Sequence, residues 1–196
     1  MKIFNKWDMD GIKVQDIALQ PYINASPILI PRSSGRLGLN RLWGKKIPIV
    51  ERLMNKMMVA GHRGKKHKLT SGKNTGKAVK AYIMVEKVFA IIEQKTKKNP
   101  VEVYVKALEN AAPREEITTI EYGGARYPQA VDMAPQRRID VALRLMVQGA
   151  YQKAWNSKKK TEECLADEII YAYSIDTKSA AIAKKLELER QADASR

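Results

Sequence analysis

The sequence predicts a mainly α fold: a helical bundle of about six helices, one protruding β-hairpin and an extended basic amino-terminal arm. Apolar residues recur at three- and four-residue steps through most of the chain after residue 46. One stretch, EITTIEYGGARYPQAVDM, breaks that period with β-branched and aromatic residues on either side of Gly123-Gly124. The first 46 residues hold no sustained period and are interrupted by Pro21, Pro27, Pro31, Gly35, Gly38 and Gly44. The expected organisation is therefore an arm over residues 1–46 and a helical domain over 47–196, with the ribbon at about 116–133.

The arm opens on a short mixed segment, KIFNKWDMDGIKVQDI, and then carries Arg32, Arg36, Arg41, Lys45 and Lys46 at intervals of one to five residues. That spacing suits a chain that tracks phosphates and folds on binding. Tyr22 and Trp43 fit either stacking on bases or docking on the protein's own core. The first helix follows, with Pro48 near its first turn, Val50, Leu53, Met54, Met57 and Met58 on one stripe, and Gly61 as a stop signal.

Next comes GHRGKKHKLTSGKNTG, a loop with Arg63, Lys65, Lys66, Lys68 and Lys73 and no acid. Its end resembles a phosphate-binding loop but fails the geometry of a nucleotide site. Aligning Gly76-Lys77 with the Gly-Lys pair puts Ser71 where the first glycine belongs and Ala78 where a hydroxyl should ligate Mg²⁺. His62 and His67 stand five apart without a second Cys or a nearby carboxylate, so zinc is not expected, and contact with phosphate or water is. From Lys77 to Lys95 a second helix shows Ala78, Ala81, Tyr82, Val85, Val88, Phe89 and Ile92 on one face. The basic loop thus feeds a helix N-terminus, where open N–H groups favour an anion.

Asn99-Pro100-Val101-Glu102 reads as an N-cap, a proline at the first helical position and a capping-box acid; this third helix stops before Pro113. In the hairpin that follows, Pro128 excludes a place inside a larger sheet, and a lone two-stranded ribbon is marginal in water, so it is expected to project and to be steadied from outside. Pro135-Gln136-Arg137-Arg138 opens a fourth helix with Ile139, Ala142, Leu143, Met146 and Ala150 inward and Arg137, Arg144 and Gln148 outward. Two more helices are expected, about Thr161 to Tyr173 and Thr177 to Gln191, after a loop with Lys158, Lys159 and Lys160.

Charge narrows the function. The 196 residues carry 36 Lys+Arg against 21 Asp+Glu, a formal +15. Between Ile17 and Val85 there are fourteen basic residues and one acid, Glu51, whereas residues 86–196 hold nineteen basic against seventeen acidic. A block segregated in this way marks a contact surface for phosphate; a solvated basic face without a partner is the plain alternative. No run of about 18 apolar residues spans a bilayer, no signal peptide is visible, and the basic block lacks an interfacial helix's pattern. Neither a membrane nor a small-molecule substrate is expected, and the single Cys164, read as a buried thiol on a helix, agrees with a cytoplasmic protein. No Ser-His-Asp, paired-carboxylate or Cys-His constellation is present, so catalytic residues, metal ligands and cofactors are all expected to be none. A DNA-binding regulator would need a recognition helix and an RNA-modifying enzyme a cofactor loop; the basic loops outside any helix favour irregular RNA.

Taken in order, PIVERLMNKMM, KAYIMVEKVFAIIEQKTKKNPVEVYVKALENAAP, YGGARYPQAVDMAPQRR and RLMVQGA resemble the universal small-subunit ribosomal protein seven family, from about residue 3 to the carboxyl terminus. The amino-terminal KWDMDGIKVQDIALQPYI and the ECLADEII helix look like its archaeal and eukaryotic form. The resemblance implies a binder of the 3′ major domain of small-subunit rRNA that nucleates the subunit head. It also implies a ribbon tip, Gly123, Gly124, Ala125, Arg126 and Tyr127, near exit-site tRNA and mRNA, and a helix start, Arg137 and Arg138, on rRNA. Small-subunit proteins nine, eleven and thirteen are the implied neighbours. With RNA as partner, charge adds Arg32, Arg36, Arg41, Lys45, Lys46, Arg63, Lys65, Lys66, His67, Lys68, Lys73, Lys77 and Arg144 to the expected rRNA contacts.

Overall fold

The computed structural model describes residues 2–38, 40–59, 62–63, 66–67 and 74–196. Its first element is one that composition alone does not announce. Strands β1 (Lys2–Ile3) and β2 (Trp7–Asp8) pair antiparallel across a turn whose central residues, Phe4 and Asn5, both have positive φ, +54° and +59°. That backbone is costly for a side chain as large as Phe. Ring burial offsets it: Phe4, Trp7, Phe89 and Tyr82 form an aromatic cluster, with Trp7 edge-on to Phe89 at 5.8 Å and Phe4 against Tyr82 at 4.7 Å. The Trp7 Nε1–H donates to Glu93 at 2.9 Å. Ile3, Met9, Leu19 and Ile23 are buried as well, so the first half of the segment expected to be an extended arm is anchored in the core as far as Ile23. The correction has a plain cause: apolar residues too few and too irregular to show a period still bury area against a neighbour.

The remainder of the expected arm is a closed loop. The Asn24 carbonyl accepts from the Ile49 N–H at 2.9 Å and the Asn24 Nδ2–H donates to the Lys46 carbonyl at 2.6 Å, which brings the two ends of residues 25–47 together. A short 3₁₀ turn runs over Gln20–Tyr22 just before the closure, and two more lie within the loop, over Arg36–Gly38 and Arg41–Lys46. Tyr22 is half-buried and packs on the core. The Trp43 side chain lies outside what is described.

Helix α1 (Ile49–Met57) begins after Pro48 and buries Val50, Leu53, Met54 and Met57 as its stripe requires. A two-residue ribbon, β3 (His62–Arg63) with β4 (Lys66–His67), interrupts the basic stretch read as loop. Helix α2 (Ala78–Thr96) ends at Lys97, whose N–H makes the last helical bond, to the Glu93 carbonyl at 2.8 Å, and whose left-handed conformation turns the chain out of the helix. Helix α3 (Pro100–Ala111) starts as expected, with Asn99 Oδ1 accepting from the Val101 N–H at 3.0 Å and Pro100 at the first position. The fully buried Tyr104 donates its hydroxyl to the Ile49 carbonyl, tying α3 to the start of α1.

After the ribbon β5 (Glu115–Tyr122) and β6 (Ala125–Asp132) come α4 (Pro135–Ala154), α5 (Thr161–Tyr173) and α6 (Ala180–Ala194). Ile139, Ala142, Leu143, Met146 and Ala150 of α4 are all buried, and Cys164 of α5 is a buried thiol whose pKa burial pushes up. Helix α6 starts three residues later than periodicity placed it. Ser179 caps it, and the fully buried Glu168 of α5 accepts from the Ser179 hydroxyl at 2.9 Å and from the first N–H groups of α6. Lys153 completes the carboxylate's shell at 2.6 Å. At the same crossing Gly149 has no room for a side chain: a Cβ there would stand 2.7 Å from the Ala180 Cβ. Six α-helices, three two-stranded ribbons and one core are what the described residues build.

Candidate nucleic-acid interface

Exposed side chains that the fold leaves unspent are the readiest to meet phosphate. In the closed loop, Arg32, Arg36, Lys45 and Lys46 are exposed, and the first three have no ion-pair partner among the described residues. Lys77 is exposed at the cap position of α2, a helix with no side-chain cap bond and no acid in its first turn. The Ala78 N–H there bonds the Gly76 carbonyl at 3.1 Å, and the positive end of the helix dipole beside a cation is a setting that favours an anion. Arg41 lies in the 3₁₀ turn Arg41–Lys46, Arg63 in β3, and Lys66 and His67 in β4, each placed by backbone alone. Lys65, Lys68 and Lys73 lie outside the described residues.

On α4, two adjacent arginines part company. Arg137 is exposed, although its guanidinium meets Glu116 of the ribbon at 2.6 Å; that carboxylate's hydrogen bond and charge raise its pKa further. Arg138 is 7% exposed, its Nε–H donating to the Pro113 carbonyl at 3.0 Å and its Nη2–H to the Asp16 carboxylate at 2.9 Å. The expectation that Arg138 contacts RNA is corrected: its hydrogen bonds are spent inside the fold, where they fasten residue 16 to the bundle. Burial alone would raise the Asp16 carboxyl, but the Ala18 N–H and Arg138 outweigh it and hold its pKa below the ordinary value. Arg144, two turns on from Arg137, is exposed and has no partner among the described residues.

Two cations escaped the sequence reading. Lys80 and Lys87 stand seven apart on the exposed side of α2, near Lys77. The signal was there, since they fall opposite the apolar stripe that defined the helix.

The ribbon supplies the second surface. Gly123 and Gly124, at φ +57° and +82°, make its tight turn, a geometry a side chain would resist. Register pairs Ile120 with Tyr127, so Ile120, Tyr122 and Tyr127 share one face, while Glu121 and Arg126 pair on the other at 3.6 Å. Tyr122 is 82% exposed, and Ala125, Arg126 and Tyr127 are exposed too. Pro128 lies opposite Thr119 without disturbing a two-stranded ladder, whose outer edges need no partner. Among the described residues the polar contacts that steady it lie at the base: Glu116 to Arg137, Glu115 to Arg196, and the Arg114 N–H to Glu189 at 3.2 Å.

Among the described residues no three His, Cys, Asp or Glu gather as a metal shell, and no helix is long and apolar enough to cross a membrane. The arrangement can neutralise a polyanion and offer stacking rings at a distance from the core.

A family model described as ribosomal protein S7p/S5e matches residues 20–196. The chain is 54% identical over its full length to the small ribosomal subunit protein uS7 of Nanoarchaeum equitans, covering 99% of that protein. It is 46% identical to the protein of that name from Methanothermobacter thermautotrophicus, over 96% of this chain and 95% of the relative. With the uS7 of Methanosphaera stadtmanae identity is 47%, over 97% and 96%.

Proposed function

The chain belongs to the ribosomal protein S7p/S5e family, and from that premise we propose that it binds the 3′ major domain of small-subunit rRNA and nucleates the subunit head. Family membership makes it a structural constituent of the small subunit in the cytoplasmic ribosome, and not an enzyme. The observation that carries the finer reading is the set of exposed cations with no ion-pair partner among the described residues, Arg32, Arg36, Lys45, Lys77 and Arg144, all but the last within the segment that has a single acid.

Such cations displace counterions from a folded RNA, which ties affinity to salt, while RNA shape supplies specificity. Arg41, Lys46, Arg63, Lys65, Lys66, His67, Lys68 and Lys73 extend the same basic strip along the chain, and Arg137 adds a cation beside the base of the ribbon. Residues 24–46, rather than 1–46, form the contact segment, with the helical domain as its platform. The ribbon tip, Gly123 to Tyr127, then stands near exit-site tRNA and mRNA, a reading supported by its exposed rings and its reach. Small-subunit proteins nine, eleven and thirteen are the neighbours that go with this placement.

The test is binding of the purified chain to the isolated 3′ major domain against duplex DNA of equal length, over a salt series. A preference for rRNA that persists as salt rises is expected. Equal binding to both, lost together, would reduce the basic strip to a generic polyanion surface and overturn the reading.

A further inference from the structure

Glu51 is the one acid between Ile17 and Val85, and it pairs with none of the cations around it in the described structure. Its side chain, on α1, is 5% exposed. One carboxylate oxygen, Oε1, accepts from both the Ser33 N–H at 2.9 Å and the Ser33 hydroxyl at 2.6 Å. Ser33 opens a tight turn that the Arg36 N–H closes onto the Ser33 carbonyl at 3.2 Å, with Ser34 and Gly35 at φ +52° and +79°. Arg32 and Arg36 flank that turn, exposed and without partners among the described residues.

We propose that Glu51 is a positioning residue for RNA binding: it fixes the Ser33–Arg36 turn to the rigid α1, so that Arg32 and Arg36 meet two phosphates of the RNA backbone as a preset pair. This rests on the reading that the closed loop contacts rRNA. The loop is tied at its ends by Asn24, at the Leu29 carbonyl by the Phe4 N–H at 3.2 Å and at residue 33 by Glu51, and no regular element holds residue 33. A turn with a non-glycine residue in the left-handed region relaxes when its anchor is removed. The two guanidinium groups would then have to be ordered at the moment of binding, which lowers affinity.

The proposal inverts the sign that bulk electrostatics gives. Removing an acid from a segment this basic should tighten RNA binding if charge alone counted; if Glu51 positions the turn, binding weakens. The experiment measures affinity of the full chain for the 3′ major domain over a salt series, with thermal melting to confirm folding of each variant. Glu51→Ala should weaken binding about tenfold, the size of one net charge-assisted hydrogen bond. It should also lower the salt slope by about one to two, the share of two phosphates. Glu51→Gln keeps a carbonyl acceptor and should recover most of the affinity. Ser33→Ala leaves α1 untouched and should show part of the loss, which keeps the test decisive if Glu51→Ala does not fold. Combined with Arg32→Ala and Arg36→Ala, Glu51→Ala should add little.

Tighter or unchanged binding by Glu51→Ala with an unchanged slope overturns the proposal, as does full affinity in Ser33→Ala or a loss that adds in full to that of the two arginines. If the two arginine substitutions themselves leave affinity untouched, the loop does not contact rRNA, and the reading on which the proposal rests falls with it.

Discussion

Two hairpins in this molecule turn on the same backbone device and come to opposite ends. The β1–β2 hairpin has two residues per strand and turns through Phe4 and Asn5; the β5–β6 ribbon has eight per strand and turns through Gly123 and Gly124. Both turns place consecutive residues at positive φ. The short one is the buried one. Its Phe4 and Trp7 are 5% exposed against the α2 aromatics, whereas the long ribbon leaves Tyr122 and Tyr127 in solvent. Ladder length therefore does not decide which hairpin belongs to the core; apolar area removed from water does. It also explains how a Phe occupies a turn position that the ribbon gives to glycine.

The comparison breaks most readily at Trp7. Trp7→Ala should cost about 3–5 kcal/mol of unfolding free energy in urea, the range for deleting a buried aromatic. A loss under about 1 kcal/mol would mean the first hairpin is an ornament on the bundle, no more integral than the ribbon tip.

A smaller effect is expected at Arg138→Ala, about 2–3 kcal/mol, because it strips the Pro113 carbonyl and the Asp16 carboxylate of a shared donor. Acid should reveal the same link. Asp16 has a folded pKa below its unfolded value, so its contribution is complete above about pH 4 and is lost as pH falls through the lower folded value. Asp16→Asn should flatten that acid limb of the melting temperature, and an unchanged limb would show that the amino-terminal segment is held without this pair.

The smallest effect belongs to the ribbon. Tyr122→Ala and Tyr127→Ala should each shift stability by no more than about 0.5 kcal/mol, as exposed positions do. A larger shift would mean the tip packs in a way its exposure does not convey.

How much of this was legible depends on how far each residue's partner lies along the chain. The Asn99-Pro100 start, the α4 stripe and the Gly-Gly turn have neighbours within a few residues, and each was found where periodicity or turn chemistry put it. The start of α6 was misplaced because Glu168, eleven residues before Ser179, sets it. The family resemblance carries Arg137 and Arg138 alike to rRNA; a step of about 100° around the helix turns one to solvent and the other toward Asp16, 122 residues away.

The sequence by itself determined the helices, the ribbon and the segregation of positive charge, since all three are written in residue spacing along one dimension. Only the tertiary structure decided that Ile3, Phe4, Trp7, Met9, Leu19 and Ile23 anchor the first 23 residues in the core, that residues 25–47 form a closed loop, and which arginines stay in solvent. The reason is physical: burial and ion pairing are properties of what lies across from a residue in space, and a linear pattern fixes a side chain's direction along its own element but not the surface it will meet.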